Sequence, residues 1–305
     1  MNWRDEIELA AARIADHVRA TPLVDLELPG VGTVQLKLEQ LQHTGSFKAR
    51  GAFNTLIKGP VPASGVVAAS GGNHGAAVAY AARKLGHRAR IYVPQMAGPA
   101  KIALIRAQGA ELHVIDGPFT EVQAQTEAYA ASTGAMQIHA FDAPGTLAGQ
   151  GTLMREWEHQ GLEADTVLIA VGGGGLIGGA MGWLEGRRRV IGVEPVLAPS
   201  LHLALAAGKP VTVTPSGVAA NALGAPFVGG LCLALAQAQN LHAVLVEDAA
   251  ITGAQRLLWD QLRLWVEPAG AAALSALTSG AYVPAPGERV AVLLCGANTA
   301  PAPYG

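Results

Sequence analysis

Two cysteines, Cys232 and Cys295, are all that 305 residues contain, and they stand far apart. That spacing supplies neither a disulfide framework nor a cysteine-based zinc cluster. Charge is scarce as well: Asp, Glu, Lys and Arg make up 14% of the chain, and the formal net charge is -2. So balanced a chain gives no reason to expect nucleic acid or an anionic membrane as a partner. The longest uncharged stretches, 166–184 and 226–246, are broken by glycines or by Gln, Asn and His, so neither reads as a membrane span. Met1-Asn2-Trp3-Arg4-Asp5-Glu6 is charged where a secretory signal is apolar, and a cytoplasmic protein is expected. The histidines, His43 and His139 among them, show no metal-ligand spacing. Apolar residues, by contrast, make up 50% of the sequence, enough for one large or two modest domains with buried cores.

Trp3 to Val18 places Ile7, Ala10, Ala11, Ile14 and Val18 at helical spacing, which predicts an amphipathic helix ended by Thr21-Pro22-Leu23. Val34-Gln35-Leu36-Lys37-Leu38 alternates as a half-buried strand does. Further strands are predicted at 66–69, 90–94, 111–115, 136–140, 167–171, 189–195, 243–246 and 290–294, most of them separated by helical segments. The stretch from 196 to Gly224 reads as less regular. Strands alternating with helices predict an α/β fold with mostly parallel sheets. We expect two domains, each an open sheet flanked by helices: a small one of residues 39–141 and a large one of residues 1–38 plus 142–305.

Three stretches carry candidate chemistry. Thr44-Gly45-Ser46-Phe47-Lys48-Ala49-Arg50-Gly51 sets a lysine among small residues at the start of a predicted helix. A lone lysine is usually a solvated surface group, but Gly45 and Ser46 leave room for a flat ligand and Phe47 supplies an apolar wall. An amine desolvated there has a lowered pKa and can attack a carbonyl or shuttle a proton. Ser70-Gly71-Gly72-Asn73-His74-Gly75 lies at a strand-to-helix turn, where backbone N–H groups converge on a carboxylate or phosphate. A plain turn is the bland alternative, although it does not require Asn73 or His74. Gly172-Gly173-Gly174-Gly175 follows a fully apolar strand and opens a helix, forming a backbone cradle for a phosphate.

That last loop permits a second reading. Gly173, Gly175 and Gly178 satisfy G-x-G-x-x-G, and Glu194 ends the next strand, as in a nicotinamide-dependent dehydrogenase. The dehydrogenase reading leaves the lysine and the Asn73 loop without a role. A reactive lysine, a phosphate cradle and a carboxylate loop together are what a pyridoxal phosphate enzyme needs for an amino-acid substrate.

Those motifs, with Thr21-Pro22-Leu23, Lys37-Leu38-Glu39, Gly149 to Thr152, Gly192 to Pro195, Glu267 to Gly270 and Cys295 to Asn298, are similar in order and spacing to the serine/threonine dehydratase family. The sequence resembles that family over nearly its whole length. The resemblance implies the tryptophan-synthase-β-type fold (fold type II) and pyridoxal 5'-phosphate as cofactor. It implies that Lys48 carries the cofactor, Phe47 lies against its ring and Asn73 hydrogen-bonds its phenolic oxygen. The backbone of Gly172, Gly173, Gly174, Gly175 and Leu176 would take the phosphate. Cys295 would sit at the ring nitrogen, where many members have serine and the liver-type serine dehydratases have cysteine. Val218 to Gly224 also looks like that cysteine-type branch. Ser70, Gly71, Gly72, Asn73 and His74 would receive the substrate carboxylate. The implied reaction is loss of water from L-serine or L-threonine, giving pyruvate or 2-oxobutyrate plus ammonia. Lys48 would be the base, and the cofactor phosphate would protonate the leaving hydroxyl.

Related serine racemases carry a second serine directly before the Gly-Asn pair. Here that position is Gly71, so racemisation ranks below dehydration. Other β-eliminations or β-replacements on the same cofactor are the alternatives, with a dehydrogenase or a non-catalytic cofactor-binding protein behind them. The resemblance also implies a potassium ion held by Glu194, Ser200 and the carbonyls of Gly172, Ala198, Leu223 and Ala225. Serine rather than aspartate at 200 argues against tight magnesium or manganese. A homodimer is expected. Feedback regulation by isoleucine is not, because the sequence ends soon after Asn298.

Overall fold

A computed structural model describes residues 1–117 and 119–299. In chain order the elements are α1 (Trp3–Ile14), β1 (Leu23–Leu28), β2 (Gly32–Leu38), α2 (Lys48–Lys58), β3 (Val66–Ala69), α3 (Asn73–Lys84), β4 (Ala89–Pro94), α4 (Pro99–Ala107), β5 (Glu111–Ile115), α5 (Phe119–Thr133) and β6 (Met136–Gln137). They continue with α6 (Pro144–His159), β7 (Thr166–Ala170), α7 (Gly175–Leu184), β8 (Arg189–Pro195), α8 (Ser200–Ala207), α9 (Ala220–Leu223), α10 (Gly230–Ala238), β9 (His242–Val246), α11 (Asp248–Leu262), α12 (Pro268–Thr278) and β10 (Val290–Leu294).

The strands form a six-stranded sheet, ordered β1-β2-β10-β7-β8-β9, and a four-stranded sheet, ordered β5-β4-β3-β6. Every pairing is parallel except β1 with β2. The α/β expectation therefore holds. β7 and β10 are buried along their whole length, as strands covered on both faces must be. Helix α12 packs across β7, β8, β9 and β10, and its alanine-rich sequence keeps it thin enough to lie flat there.

One strand lies outside the predicted set, and two local expectations are corrected. Leu23–Leu28 is an antiparallel edge strand, with Leu26 opposite Val34; Asp25 and Glu27 lie on its exposed face and Leu26 and Leu28 on its buried one. The strand predicted at 136–140 stops at Gln137. Beyond it the carbonyls of Ile138 and Ala140 accept hydrogen bonds from the His74 and Lys48 side chains, so the sheet ladder has ended. The stretch read as less regular contains α8 and α9.

Helix α6 packs against both α2 and α7. A side-chain carbon at Gly149 would lie 2.6 Å from the Gly51 Cα of α2, and one at Gly179 of α7 would lie 2.5 Å from the Gly151 nitrogen. Backbone therefore meets backbone on both sides of α6, which only glycine permits.

A buried ion cluster braces the same region. Arg50 of α2 donates from Nε to Glu39 Oε1 (2.5 Å) and from Nη2 to Glu156 Oε2 (2.9 Å). Lys37 of β2 donates to Glu156 Oε1 and Gln160 Oε1, each at 2.6 Å, and to the Thr21 carbonyl at 2.7 Å. Burial pushes the Glu156 carboxyl up, but Arg50 and Lys37 outweigh it and hold its pKa below the ordinary glutamate value. Removing one partner from a buried pair strands the other, at a typical cost of about 3–5 kcal/mol. Arg50→Met should therefore lower stability by about that much in a thermal or urea melt. Glu39→Met combined with Arg50→Met should cost less than the two single changes summed. Strict additivity would mean that the pair is not coupled.

Candidate active site

The candidate residues gather at the carboxyl ends of the strands, where open α/β sheets hold their ligands. Lys48 opens α2 beyond β2, Gly71 to Asn73 follow β3, Gly172 to Gly175 follow β7, and Cys295 follows β10. A bridge between Ser46 and Gly296 stitches the lysine loop to the Cys295 loop. The Phe47 N–H donates to the Cys295 carbonyl (3.2 Å), and the Ala297 N–H donates to that of Gly45 (2.9 Å).

Lys48 Nζ donates to the Ala140 carbonyl at 2.7 Å and lies 5.0 Å from the centre of the Phe47 ring. Burial pulls its pKa down to about 8, with Cys295 acting weakly in the other direction. A sizeable fraction of this amine is neutral near physiological pH and able to attack a carbonyl.

The glycine loop reaches α7 with Gly174 as N-cap, left-handed at φ 89° and without a side-chain cap. The first N–H groups of α7 have no intrahelical acceptor and suit an anion. Crowding explains the glycines. A side-chain carbon at Gly173 would meet the Phe141 ring, and one at Gly174 would lie 2.6 Å from Cys232 Sγ. Helix α3 opens in the same way: Gly72 is its N-cap and no side chain caps it.

Asn73 is held on both ends of its amide. Its Nδ2 donates to Glu267 Oε1 (2.5 Å), and its Oδ1 accepts from Asn298 Nδ2 (2.9 Å). Asn298 Nδ2 also donates to the Thr44 carbonyl at 2.6 Å, tying the Asn73 loop to the lysine loop. Burial raises the Glu267 carboxyl to about 7, against the opposing pull of Asn73 and Lys101. The Cys295 thiol donates to the Ala269 carbonyl (3.3 Å), and burial, then Glu267, push its pKa up. It is a neutral thiol.

An amine poised to condense with an aldehyde, facing a phosphate cradle, fits pyridoxal phosphate. A family model for pyridoxal-phosphate dependent enzymes matches residues 14–296. This chain belongs to that family. Phenylserine dehydratase from Ralstonia pickettii is 38% identical over 297 residues, covering 94% of this chain and 90% of that protein. Among solved structures, the threonine deaminase of T.th. superimposes with a TM-score of 0.90 at 34% identity, covering 98% of this chain and 99% of that one. Maize serine racemase gives 0.91 at 30% identity, covering 97% and 93%.

Within this pyridoxal-phosphate family member, other expected residues behave less simply. Ser70 Oγ accepts from the Gly72 N–H (3.2 Å), so its hydroxyl turns back on its own loop. The His74 side chain is committed elsewhere. Its Nε2 hydrogen-bonds the Ile138 carbonyl at 2.9 Å, and burial, then Lys48, hold its pKa near 3. That ring is neutral. Gly71 is crowded too: a side-chain carbon there would lie 2.5 Å from the Ala97 Cβ.

Of the residues expected around a cation, the structure brings four together. Ser200 Oγ donates to the Gly172 carbonyl (3.1 Å) and to Glu194 Oε1 (3.3 Å), and the Leu223 backbone lies against Gly172. Glu194 is fully buried and accepts from the Leu201 and His202 N–H groups, each at 2.7 Å, at the start of α8. Burial raises it to about 7. A buried, backbone-capped carboxylate is not free to bind a ribose, which removes the dehydrogenase reading of the glycine loop. Ala198 is buried nearby in the turn before α8, and Ala225 is half-buried. Among the described residues, no group of three or more His, Cys, Asp or Glu is placed to hold a metal. The oxygen set around Glu194 has one carboxylate, which suits a weakly held monovalent cation better than magnesium.

Sequence reasoning missed the segment 139–142. His139 Nδ1 accepts from the Phe141 and Asp142 N–H groups, the Ala140 carbonyl receives Lys48, and Asp142 caps α10 through Gly230 and Leu231. His139 and Asp142, polar residues at and just past the end of a predicted strand, were the available signal. Also missed were the Glu267 side chain, Lys101 and Asn298.

Two outcomes follow from this geometry. Gly174→Ala adds left-handed strain of about 1–3 kcal/mol and a clash with Cys232. It should weaken pyridoxal phosphate binding about tenfold or more in an absorbance titration; wild-type affinity would count against the cradle. Glu267, at about 7 when folded against an ordinary value of 4.5, favours folding most at low pH and loses that contribution as pH rises from 4.5 through 7. The wild-type minus Glu267→Gln stability difference should therefore fall by about 3 kcal/mol across that window and stay flat above it. A difference that does not vary with pH would show that Glu267 titrates normally.

Proposed function

We propose that this protein is an ammonia-lyase that eliminates water from L-serine or L-threonine, releasing pyruvate or 2-oxobutyrate and ammonia. The carrying observation is that Lys48 is a buried amine whose pKa is lowered to about 8, while a side-chain carbon at Gly71 would collide with the Ala97 Cβ. A racemase needs a proton donor on the opposite face of Cα. Relatives and structural neighbours named as dehydratases and deaminases support the same reading.

Pyridoxal phosphate, when bound, supplies a carbonyl for the substrate amine and an electron sink for the Cα–H bond pair. In this reading Lys48 carries the cofactor, and its amine takes the Cα proton once the substrate has displaced it. The N–H groups of Gly172 to Leu176 hold the phosphate. Phe47 lies against the ring, and Asn73, fixed by Glu267 and Asn298, faces the phenolic oxygen. Gly71 to His74 receive the substrate carboxylate through backbone N–H groups. Cys295, a neutral thiol, would stand at the ring nitrogen and, unlike a carboxylate, would not hold a proton there. That residue and the 218–224 segment are the grounds for placing the chain near the cysteine-type serine dehydratases.

We extend the proposal in four respects. Residues 39–141 form the small domain and 1–38 with 142–305 the large one; the four-stranded sheet falls wholly inside the first range and the six-stranded sheet outside it. A potassium ion sits among Glu194, Ser200 and the carbonyls of Gly172, Ala198, Leu223 and Ala225. The enzyme is a homodimer. It works in the cytoplasm; among the described residues no helix is long and apolar enough to cross a membrane.

The test is 2-oxo acid release by protein supplied with pyridoxal phosphate, using L-serine, L-threonine, β-phenylserine and D-serine separately. Oxo acid should come from an L-substrate and fall by at least about a thousandfold in Lys48→Ala, the scale of losing a catalytic base and nucleophile. Substrate-induced absorbance change without oxo acid from any of the four would sink the dehydratase reading.

A further inference from the structure

The chain has six lysines, and Lys37, Lys48 and Lys101 are the ones not exposed. Lys37 is paired with Glu156 at 2.6 Å, and Lys48 is the proposed cofactor lysine. Lys101, in α4, has no carboxylate within 4.0 Å among the described residues. Its one hydrogen bond there runs from Nζ to the Asn221 carbonyl at 3.0 Å. An ammonium has three donors, so two are unspent. Lys101 is half-buried, so its remaining donors are left to water or to a ligand that replaces it. Burial accordingly lowers the Lys101 pKa, with a more distant Glu267 partly restoring it.

The ammonium has a definite position. A side-chain carbon at Gly72 would lie 3.7 Å from Lys101 Nζ and 3.5 Å from the Asn221 carbonyl oxygen. Gly72 is the uncapped N-cap of α3, whose first N–H groups lack intrahelical acceptors. A full positive charge thus stands beside an uncapped helix start, with space left where Gly72 has no side chain. The same ammonium links α4, which lies between two strands of the four-stranded sheet, to Asn221 of α9.

We propose that Lys101 is a specificity-determining residue that binds one oxygen of the substrate's α-carboxylate, held between its ammonium and the backbone N–H groups opening α3. The inference rests on the amino-acid reading given above and adds to it a charged side chain that reads the carboxylate. It predicts selection for free amino acids over amines, amides and esters that share the same amino and hydroxyl groups.

The test uses protein loaded with pyridoxal phosphate, as wild type, Lys101→Met and Lys101→Arg. The absorbance of the bound cofactor is titrated with L-serine and with L-serinamide, which keeps the amine and hydroxyl but lacks the carboxylate. Lys101→Met should need about tenfold or more L-serine for half of the change, the scale of one charged hydrogen bond. Its response to L-serinamide should stay within about twofold of wild type, and Lys101→Arg should recover most of the L-serine response. In turnover the loss should fall on KM rather than kcat. Equal weakening toward both ligands would mean that Lys101 merely ties α4 to α9, and would overturn the proposal. An L-serine response unchanged in Lys101→Met would overturn it as well. If wild type responds to L-serine yet releases no oxo acid, the dehydratase reading fails while the titration still decides the role of Lys101.

Discussion

At Gly149 and Gly151, α6 touches α2 on one side and α7 on the other, backbone to backbone. Helix α2 begins with Lys48 and α7 begins at the glycine loop, so this pair of contacts sets the distance between amine and phosphate cradle. A single methyl at either glycine would push one helix outward, and packed interiors transmit such strain rather than absorb it. The buried cluster of Lys37, Glu39, Arg50 and Glu156 fixes the same helices laterally. Spacing is set by glycine and orientation by charge.

Inside the cleft, burial does most of the chemical tuning. It brings Lys48 down to about 8, lifts Glu267 to about 7 and keeps the Cys295 thiol and the His74 ring neutral. Low net charge follows, and the two uncapped helix starts are left as fixed positive poles. Such a site suits anionic groups without a dense array of arginines, consistent with a chain of only 14% charged residues. Lys101 is the exception, a full charge set beside one of those poles.

The hydrogen-bonded series Thr44–Asn298–Asn73–Glu267 joins loops that are remote in sequence. It orients the Asn73 amide from both ends, so neither oxygen nor nitrogen is free to exchange places. That arrangement binds the lysine loop, the α3 start and the entry to α12 into one unit. Gly296 makes it possible: a side-chain carbon there would collide with Glu267 Oε1.

The alternation of apolar runs and helical spacing made most of the elements legible, because a parallel sheet buried on both faces leaves little freedom in what its strands contain. Glycine clusters and the flanks of Lys48 announced a reactive amine and an anion cradle for the same reason: close backbone approach excludes other residues. Harder to read were β1, whose edge position lets charges sit on one face, and the end of β6, where side chains from α2 and α3 take the strand's carbonyls. Lys101 carries no local signature, since an ordinary helical lysine looks the same, and the motif that contains Asn298 does not say that its amide bonds Asn73 and Thr44. By itself the sequence determined the fold class, the cofactor chemistry and the residues next to each glycine turn, all of which depend on local backbone geometry. Only the tertiary structure decided that the Ser70 hydroxyl and the His74 ring are engaged within the protein, and that Lys101 stands beside Gly72. Such outcomes depend on burial and on partners up to 254 positions away, which no local pattern encodes.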